Sequence, residues 1–231
     1  MIPLINGTTK NKWDTVLDLD KMWQECERII KPRGGIVLFS QQPFTSKLVM
    51  SNPKLFKYEW IWEKPMATGF LNSKHAPMKC HENICVFSKG AAAPVKDSSR
   101  AMYYYPQMGK GDPYVRIRGS RDKKTYGNFG ENTTVSDGTR YPRDVFIFKH
   151  PKDKVHPTAK PVDLLEYLIK TYTLEDETVL DFCMGAGSCG IAAINTNRNF
   201  ISIELEKKYF DIAEDRINKT KFPLDKCKLN V

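Results

Sequence analysis

The sequence lacks long apolar runs: no stretch approaches the ~18 consecutive apolar residues that a membrane-spanning helix needs. It also has no basic segment followed by an apolar one at its start, so we expect a chain that stays in the cytoplasm. Its six cysteines show no CxxC pair, a spacing that predicts neither a bound metal nor a disulfide framework. No internal repeat is present, which excludes solenoid and propeller folds.

What the sequence does have is the composition of a globular protein with excess positive charge. A length of 231 residues suits one compact domain, and 41% hydrophobic with 27% charged residues excludes wholesale disorder. The 36 Lys and Arg outnumber the 27 Asp and Glu, which gives a formal net charge of +9. Such an excess favours a polyanionic partner.

Apolar periodicity predicts alternating helices and strands, the pattern of an α/β sheet. In the first half of the chain it predicts helices over 17–30 and 44–50 and strands over 36–39, 58–62 and 83–87. In the second half it predicts strands over 144–148, 178–182 and 199–204 and helices over 161–171, 188–195 and 207–217.

Residues 88–140 differ from the rest of the chain. No helical or strand period is evident there, and glycine, proline, serine, asparagine and tyrosine are frequent. The segment contains ten basic and five acidic residues, so it carries +5 of the formal net charge of +9. Because long irregular insertions in compact domains are usually functional or disordered, we predict one domain over 1–231 that contains this irregular basic insertion.

The strongest chemical signal lies between the strand predicted at 178–182 and the helix predicted at 188–195. Residues 181–190 read DFCMGAGSCG, which contains GxGxxG. Glycines let the backbone turn tightly beside a ligand, and the start of a helix offers N–H groups. Glu204 ends the next predicted strand, 19 residues after Gly185, where an acid accepts hydrogen bonds from ribose hydroxyls. The pattern predicts a nucleotide-like cofactor rather than a purely structural turn.

NAD is the usual ligand of this pattern, but two features argue against it here. Little chain follows the turn to build a second nucleotide-binding half. Asp181 ends the preceding strand, where it can bind a cationic amino-acid group, which a dinucleotide lacks. An NAD-binding oxidoreductase domain is therefore kept only as an alternative.

Several stretches together carry a family resemblance. Residues 181–190 resemble an Asp-Pro-Phe-x-Gly-Ser-Gly-Thr-Thr-Gly loop, and HPTAKP at 156–161 resembles a His-Pro-Thr-x-Lys-Pro element. With 199–204 and 207–213, they resemble the DNA amino-methyltransferases of the permuted β group, phage and prophage members in particular. The resemblance extends from about Gly7 to Ile217.

The resemblance implies a Rossmann-like sheet and methyl transfer from S-adenosylmethionine, without a metal, to N6 of adenine or, as second choice, N4 of cytosine in double-stranded DNA. It also implies a bacterial or phage-infected cell and a companion restriction endonuclease or active partner subunit. The family's cofactor-binding positions correspond here to His156, Thr158, Lys160, Asp181, Phe182, Gly185, Gly187, Ser188 and Glu204.

By the same resemblance, 88–140 occupies the place of the target-recognition region. Lysine and arginine neutralise phosphates, and arginine also reads guanine edges. The three tyrosines at 103–105 suit base stacking and packing within the insertion equally well. The residues predicted to contact DNA are Arg116, Arg118, Arg121, Lys123 and Lys124.

The chain departs from the family at the catalytic motif. The family carries Asp-Pro-Pro-Tyr or Asp-Leu-Pro-Tyr, which binds the amine of a flipped base and stacks on its ring. The positions in register here hold Pro3, Leu4, Ile5 and Asn6, so the catalytic residues are unassigned.

Two hypotheses about the activity of the chain remain. One is a methyltransferase in which the Asn6 amide accepts a hydrogen bond. The other is an inactive chain that binds DNA or cofactor, alone or beside an active subunit.

Two other motifs invite a catalytic interpretation that the sequence does not favour. GDPY at 111–114 resembles a shortened catalytic tetrapeptide, but it follows no apolar strand and Asp-Pro is a common turn pair. His81 and Glu82 directly precede a predicted strand, so we interpret them as structural.

Overall fold

The computed structural model of the protein describes residues 2–3, 17–92, 98–118, 132–150 and 159–221. These residues form two compact units: a larger one on either side of the segment Pro106–Arg143, and a smaller one made of that segment. Within the described ranges, no helix is both long and apolar enough to cross a membrane.

The first half of the larger unit follows the predicted pattern closely. Helix α1 begins where the Asp18 side chain accepts a hydrogen bond from the backbone N–H of Lys21, at 3.2 Å, and one face of the helix is buried. The elements are β1 (Ile2–Pro3), α1 (Leu19–Ile29), β2 (Gly35–Ser40), α2 (Phe44–Ser51), β3 (Phe56–Thr68) and β4 (Lys79–Ser88).

These strands build a mixed five-stranded sheet in the order β1-β2-β4-β3-β9, where β9 is Val145–Ile147. Strand β4 is antiparallel to both β2 and β3, whereas β1 is parallel to β2 and β9 is parallel to β3. Among the described residues, β1 contributes two pairs, opposite Leu38 and Phe39 near the end of β2.

The second half of the larger unit carries the remaining predicted elements. They are α3 (Val162–Tyr172), β10 (Thr178–Asp181), α4 (Ser188–Asn195), β11 (Asn199–Ser202) and α5 (Lys207–Lys221). Strands β10 and β11 pair in parallel over four residues. The predicted alternation of helices and strands is confirmed.

Alternate residues of β2 pack into two different cores. Val37 and Phe39 pack in a cluster with residues of α3 and α4, whereas Ile36 and Leu38 pack with residues of α1 and α2. Successive strand side chains point to opposite faces of a sheet. The larger unit is therefore layered, with helices on both faces of β2.

The smaller unit corrects the prediction that 88–140 is irregular throughout. Strand β6 (Tyr114–Arg118) pairs antiparallel with β7 (Asn132–Ser136), and β5 (Gly109–Lys110) pairs with β8 (Thr139–Arg140). Val115 and Ile117 alternate with arginines in β6, but this alternation is too short to stand out among the surrounding glycines and polar residues. Together with Val135 of β7, these apolar residues are exposed. The first residue of the predicted insertion, Ser88, instead ends β4.

The GDPY motif lies in this smaller unit and has a structural explanation. Tyr114 is the first residue of β6, and the Arg140 guanidinium lies over its ring at 4.8 Å from the centroid. Arg140 also donates a hydrogen bond to the backbone carbonyl of Asp112. These contacts hold the motif in the turn between β5 and β6.

Candidate functional site

The predicted glycine turn connects the end of β10 to the start of α4. Gly185 and Gly187 both have positive φ values, 53° and 78°, which side-chain-bearing residues rarely adopt. A Cβ on Gly187 would lie 2.9 Å from the Cβ of Ala213 in α5. The glycine at this position therefore allows both the turn and the close packing of α5 beneath it.

Asp181 places a carboxylate under the turn. The side chain is only 4% exposed, and one of its oxygens accepts a hydrogen bond from the backbone N–H of Cys183 at 3.1 Å. Burial raises the pKa of Asp181, because the charged form is poorly solvated there. A ligand with a cationic group would favour the ionised form of this acid.

Glu204 approaches the same turn from the end of β11. One carboxylate oxygen accepts a hydrogen bond from the backbone N–H of Gly185 at 2.8 Å, and the other accepts one from the N–H of Glu206 at 2.9 Å. Ser202, which pairs with Asp181 in the sheet, has a buried hydroxyl without a hydrogen-bond partner among the described residues. Buried hydroxyls usually have hydrogen-bond partners, so this one can bond to a bound ligand.

The start of α4 supplies backbone donors to the same place. Gly187 precedes the helix, and no described side chain caps it. The first N–H groups of a helix have no partner within the helix and carry partial positive charge. Ser188, the first helical residue, is buried, whereas Phe182 packs towards the cluster of α1 and β2.

Together these groups define a class of site: a glycine turn at the end of a parallel strand, with a buried acid, a second acid on the turn and an uncapped helix. A ligand with a cationic group and hydroxyls fits it. In the part of the chain that the structure describes, no three His, Cys, Asp or Glu side chains are grouped as metal ligands would be.

A second polar group, the Glu82 cluster (Lys64, Glu82 and Lys160), is buried at the start of β4. The two Glu82 carboxylate oxygens accept hydrogen bonds from Lys64 at 2.5 Å and from Lys160 at 2.7 Å. All three side chains are about one-tenth exposed. Lys160 also lies over the ring of Phe39, 5.1 Å from its centroid. One carboxylate therefore compensates two buried ammonium groups.

The net pKa shift in the Glu82 cluster runs against the effect of burial for Glu82 and follows the effect of burial for Lys160. Burial alone would raise the pKa of Glu82, but the charges and hydrogen bonds of Lys160 and Lys64 outweigh it and hold the pKa below its ordinary value. Burial lowers the pKa of Lys160, and the attraction of Glu82 opposes that shift only in part.

A pH dependence of stability follows from the lowered pKa of Glu82. A carboxyl whose pKa is depressed on folding stabilises the protein above its unfolded-state pKa, ordinarily 4.5, and loses that contribution as the pH falls through the folded value. The stability difference between wild type and Glu82→Gln should therefore be largest at neutral pH and shrink below about pH 4.5. Urea unfolding at pH 7 and pH 3 measures both differences; an equal difference at the two pH values contradicts the prediction.

The structure brings together most, but not all, of the predicted cofactor residues. Four of them lie around one turn: Asp181, Gly185, Gly187 and Glu204. Ser188 follows this turn as the first residue of α4. Lys160 instead bonds to Glu82, and among the described residues no hydrogen bond joins it to the turn. The predicted residues His156 and Thr158 lie outside the described residues.

The predicted catalytic and DNA-contacting positions are only partly described. Pro3 ends β1, whereas Leu4, Ile5 and Asn6 lie outside the described residues. Arg116 is exposed on β6, and Arg118 is the last residue of that strand. The other three predicted DNA contacts lie outside the described residues: Arg121, Lys123 and Lys124.

Sequence reasoning missed the pairing within the Glu82 cluster and the buried hydroxyl of Ser202. Glu82 was interpreted only as structural, although an acid at the edge of the apolar strand 83–87 is a signal that a buried cation is near. The pairing with Lys160 joins residues 78 positions apart, which no local pattern indicates. The tyrosines of 103–105 pack in part: Tyr104 contacts the rings of Tyr58 and Tyr172.

The α/β fold and the glycine turn are typical of a domain that binds a nucleotide-like cofactor. Comparison with known proteins identifies its family. A model of the DNA methylase family, the N6/N4 methyltransferases, matches residues 7–215. Because this match spans most of the sequence, the chain belongs to that family.

Individual relatives agree with the family assignment. The type II methyltransferase M.BglII of Bacillus subtilis is 39% identical over 228 residues, which cover 87% of this chain and 55% of that protein. The type II methyltransferase M.HpaI of Haemophilus parainfluenzae is 25% identical over 224 residues, covering 92% of this chain and 63% of that protein. The chain thus spans less than two thirds of the length of these curated relatives.

A solved structure supports the fold. The crystal structure of an M1.HpyAVI–SAM complex superimposes with a TM-score of 0.58 and 24% sequence identity, over 87% of this chain and 82% of that one. The α/β fold predicted from the sequence is confirmed.

Proposed function

We propose that this chain acts as a DNA amino-methyltransferase, transferring a methyl group from S-adenosylmethionine to an exocyclic base amine in double-stranded DNA. The observation that carries the proposal is the glycine turn between Asp181 and Glu204, in a chain of the DNA methylase family. N6 of adenine is the favoured acceptor and N4 of cytosine the second choice.

The groups at the turn fit S-adenosylmethionine. Asp181 is a buried carboxylate suited to the cofactor's amino group, and Glu204 is positioned at the turn to accept hydrogen bonds from ribose hydroxyls. The orphaned Ser202 hydroxyl and the N–H groups at the start of α4 offer further donors. The cofactor carries its methyl group on a positively charged sulfur, so the protein's task is to bind and orient both partners.

The acceptor base would enter beside the end of β1. Strand β1 runs parallel to β2 and ends at Pro3, the first of the four positions in register with the family's catalytic motif. In this proposal the Asn6 amide oxygen accepts a hydrogen bond from the base amine, in place of the family's acid. The aromatic residue that stacks on the flipped base in the family has no counterpart at these positions.

DNA contact is proposed for the basic part of 88–140. Arg116 lies exposed on a β-ribbon, an element that fits the major groove. The neighbouring predicted contacts are Arg118, Arg121, Lys123 and Lys124. Contacts of these arginines and lysines with DNA phosphates release counterions, so DNA affinity should fall steeply between about 50 and 200 mM salt.

Cofactor binding tests the proposal directly. Asp181→Asn keeps the shape of the side chain but removes its charge, so it should weaken S-adenosylmethionine binding at least about tenfold, the cost of one charge-assisted hydrogen bond. Asp176→Asn makes the same change at an exposed acid just before β10 and should leave binding unchanged. Isothermal titration calorimetry measures both. A folded wild-type chain that does not bind S-adenosylmethionine contradicts the proposed function.

A second candidate function is a non-catalytic chain that binds cofactor or DNA beside an active subunit. The observation that favours it is the sequence Pro3-Leu4-Ile5-Asn6 at the position of the catalytic motif. Incubation with radiolabelled S-adenosylmethionine and unmethylated DNA separates the two. Cofactor binding with methyl transfer supports the enzyme, whereas cofactor binding without transfer supports the non-catalytic chain.

The remaining implications of the family resemblance are proposals without a structural argument of their own. They are the companion restriction endonuclease, the phage or prophage type and the cytoplasm of a bacterial or phage-infected cell. The assignment of 1–231 as one domain with 88–140 as its recognition region also stays a prediction.

A further inference from the structure

The Glu82 cluster carries an excess of positive charge. Lys64 and Lys160 each place an ammonium group against the Glu82 carboxylate, so two positive charges meet one negative charge. The three side chains are only 10–11% exposed, so little water is available to screen the imbalance. Within the described ranges, no other acid forms an ion pair with either lysine. One unit of positive charge is therefore left without a partner in a buried place.

The two lysines also have hydrogen-bond donors to spare. An ammonium group has three N–H bonds. Among the residues that the structure describes, each of the two ammonium groups makes one hydrogen bond, and both bonds end on Glu82. Because the two groups share one carboxylate, they lie close enough to donate together to a second acceptor. Buried charges and donors are usually matched, so the cluster fits a further anion.

Aromatic rings enclose the two ammonium groups. Lys64 lies 5.0 Å and Lys160 lies 5.8 Å from the centroid of the Trp62 ring. Lys160 also lies 5.1 Å from the centroid of the Phe39 ring. The indole N–H of Trp62 donates to the backbone carbonyl of Phe148 at 2.9 Å, which fixes the ring in place. Such apolar surroundings strengthen the attraction between a lysine and an anion, because the local dielectric constant is low.

The cluster lies at the edge of the sheet where the acceptor base is proposed to enter. Phe39 pairs in register with Pro3, the first position aligned with the catalytic motif. Strand β4 is antiparallel to β2 and to β3, so β1, β2 and β3 all run in the same direction. Lys64 is in the carboxyl-terminal half of β3 and therefore lies towards that same edge. Residues 65–79, which follow it, are exposed and contain lysine but no acid, so an approaching anion meets no negative side chain on them.

We propose that the Glu82 cluster is a binding site for one oxyanion, held between the ammonium groups of Lys64 and Lys160. The oxyanion would neutralise the remaining positive charge and accept the spare N–H bonds. It would also raise the pKa of Lys160, which burial lowers. Two sources supply this chemistry: a phosphate group of DNA and the carboxylate of the cofactor. The choice between them rests on the proposed function, whereas the site itself does not.

Inorganic phosphate tests for the site, and the indole N–H of Trp62 reports on it locally. The proposal predicts a saturable shift of this NMR resonance when phosphate is added at constant ionic strength, because the ring lies beside both lysines. Lys64→Met should weaken phosphate binding at least about tenfold, the cost of one charge-assisted hydrogen bond. Lys207→Met is the matched control. It removes an exposed lysine paired with Asp211 and should leave the affinity unchanged.

Glu82→Gln provides a second readout with the opposite sign. The substitution removes the negative charge that repels an added anion and competes with it for the two lysines. Phosphate should therefore bind more tightly to this variant than to the wild type. A cluster that serves only to hold the fold together predicts no such gain, so equal or weaker binding to the variant contradicts the proposal.

Competition separates the two sources of the oxyanion. Displacement of phosphate by S-adenosylmethionine, but not by 5′-methylthioadenosine, which lacks the carboxylate, identifies the cofactor. Displacement by a DNA duplex in the absence of cofactor identifies a DNA phosphate. Either result supports the proposal, whereas displacement by none of these ligands identifies an adventitious ion only and overturns it.

Two further results would overturn the proposal. One is the absence of a saturable shift in the wild type, and the other is equal phosphate affinity in the wild type and Lys64→Met. If Lys64→Met does not fold, Lys160→Met makes the same change at the other ammonium group. A chain whose cluster releases phosphate to DNA but that does not bind S-adenosylmethionine contradicts the proposed function and not the oxyanion site.

Discussion

Replacing Glu82 with alanine should destabilise the protein by about 3–5 kcal/mol, the cost of removing one partner from a buried ion pair. Glu82 is the shared acceptor of Lys64 and Lys160, so the substitution leaves two ammonium groups buried without a counter-charge. Lys160 lies against Phe39 and has little water to replace the lost carboxylate. Urea unfolding at pH 7 measures the change in the free energy of unfolding.

A matched control for this prediction lies on the neighbouring strand. Glu63 is exposed and is paired in register with His81, next to Glu82. Glu63→Ala should change the free energy of unfolding by no more than about 0.5 kcal/mol, as is usual for surface positions. If the two substitutions have equal effects, Glu82 does not stabilise the protein through its buried lysines.

Local patterns predicted most of the fold because burial is periodic along these elements. In α1 the buried residues Leu19, Met22, Trp23 and Cys26 share one face, which is the spacing that the sequence displays. The helix at Ser188–Asn195 coincides with its predicted range, which the glycine turn before it marked. The ribbon of β6 and β7 was missed because its alternation is short: Val115 and Ile117 alternate with arginines in β6, and β7 holds one apolar residue, Val135.

The candidate site was predictable where its residues belong to one turn. GxGxxG marks the need for positive φ at Gly185 and Gly187, and an acid after the next strand is placed by the parallel pairing of β10 and β11. The assignment of Lys160 to the cofactor, made from a family motif, stays a prediction, whereas its hydrogen bond to Glu82 was not predicted. Such a contact depends on how segments far apart in the sequence pack together, which composition and spacing do not encode.

Substituting Gly187 with alanine is expected to be costly for two separate reasons. Its φ of 78° is unfavourable for a residue with a Cβ by about 1–2 kcal/mol. The added Cβ would also lie 2.9 Å from the Cβ and 3.1 Å from the Cα of Ala213, and such overpacking costs about 1–3 kcal/mol more. Because Ala213 is in the body of α5, it cannot move without moving the helix. The total loss should be about 2–5 kcal/mol, measured by urea unfolding.

Gly69 separates the two contributions to this loss. It has a similar positive φ, 93°, but a Cβ there would meet nothing within 4 Å. Gly69→Ala should therefore lose only the conformational part, and the difference between the two variants measures the contact of the turn with α5. If Gly187→Ala costs no more than Gly69→Ala, α5 yields to the added methyl group and does not fix the turn. In that case the position of Gly185 against Glu204 is set by β10 and β11 alone.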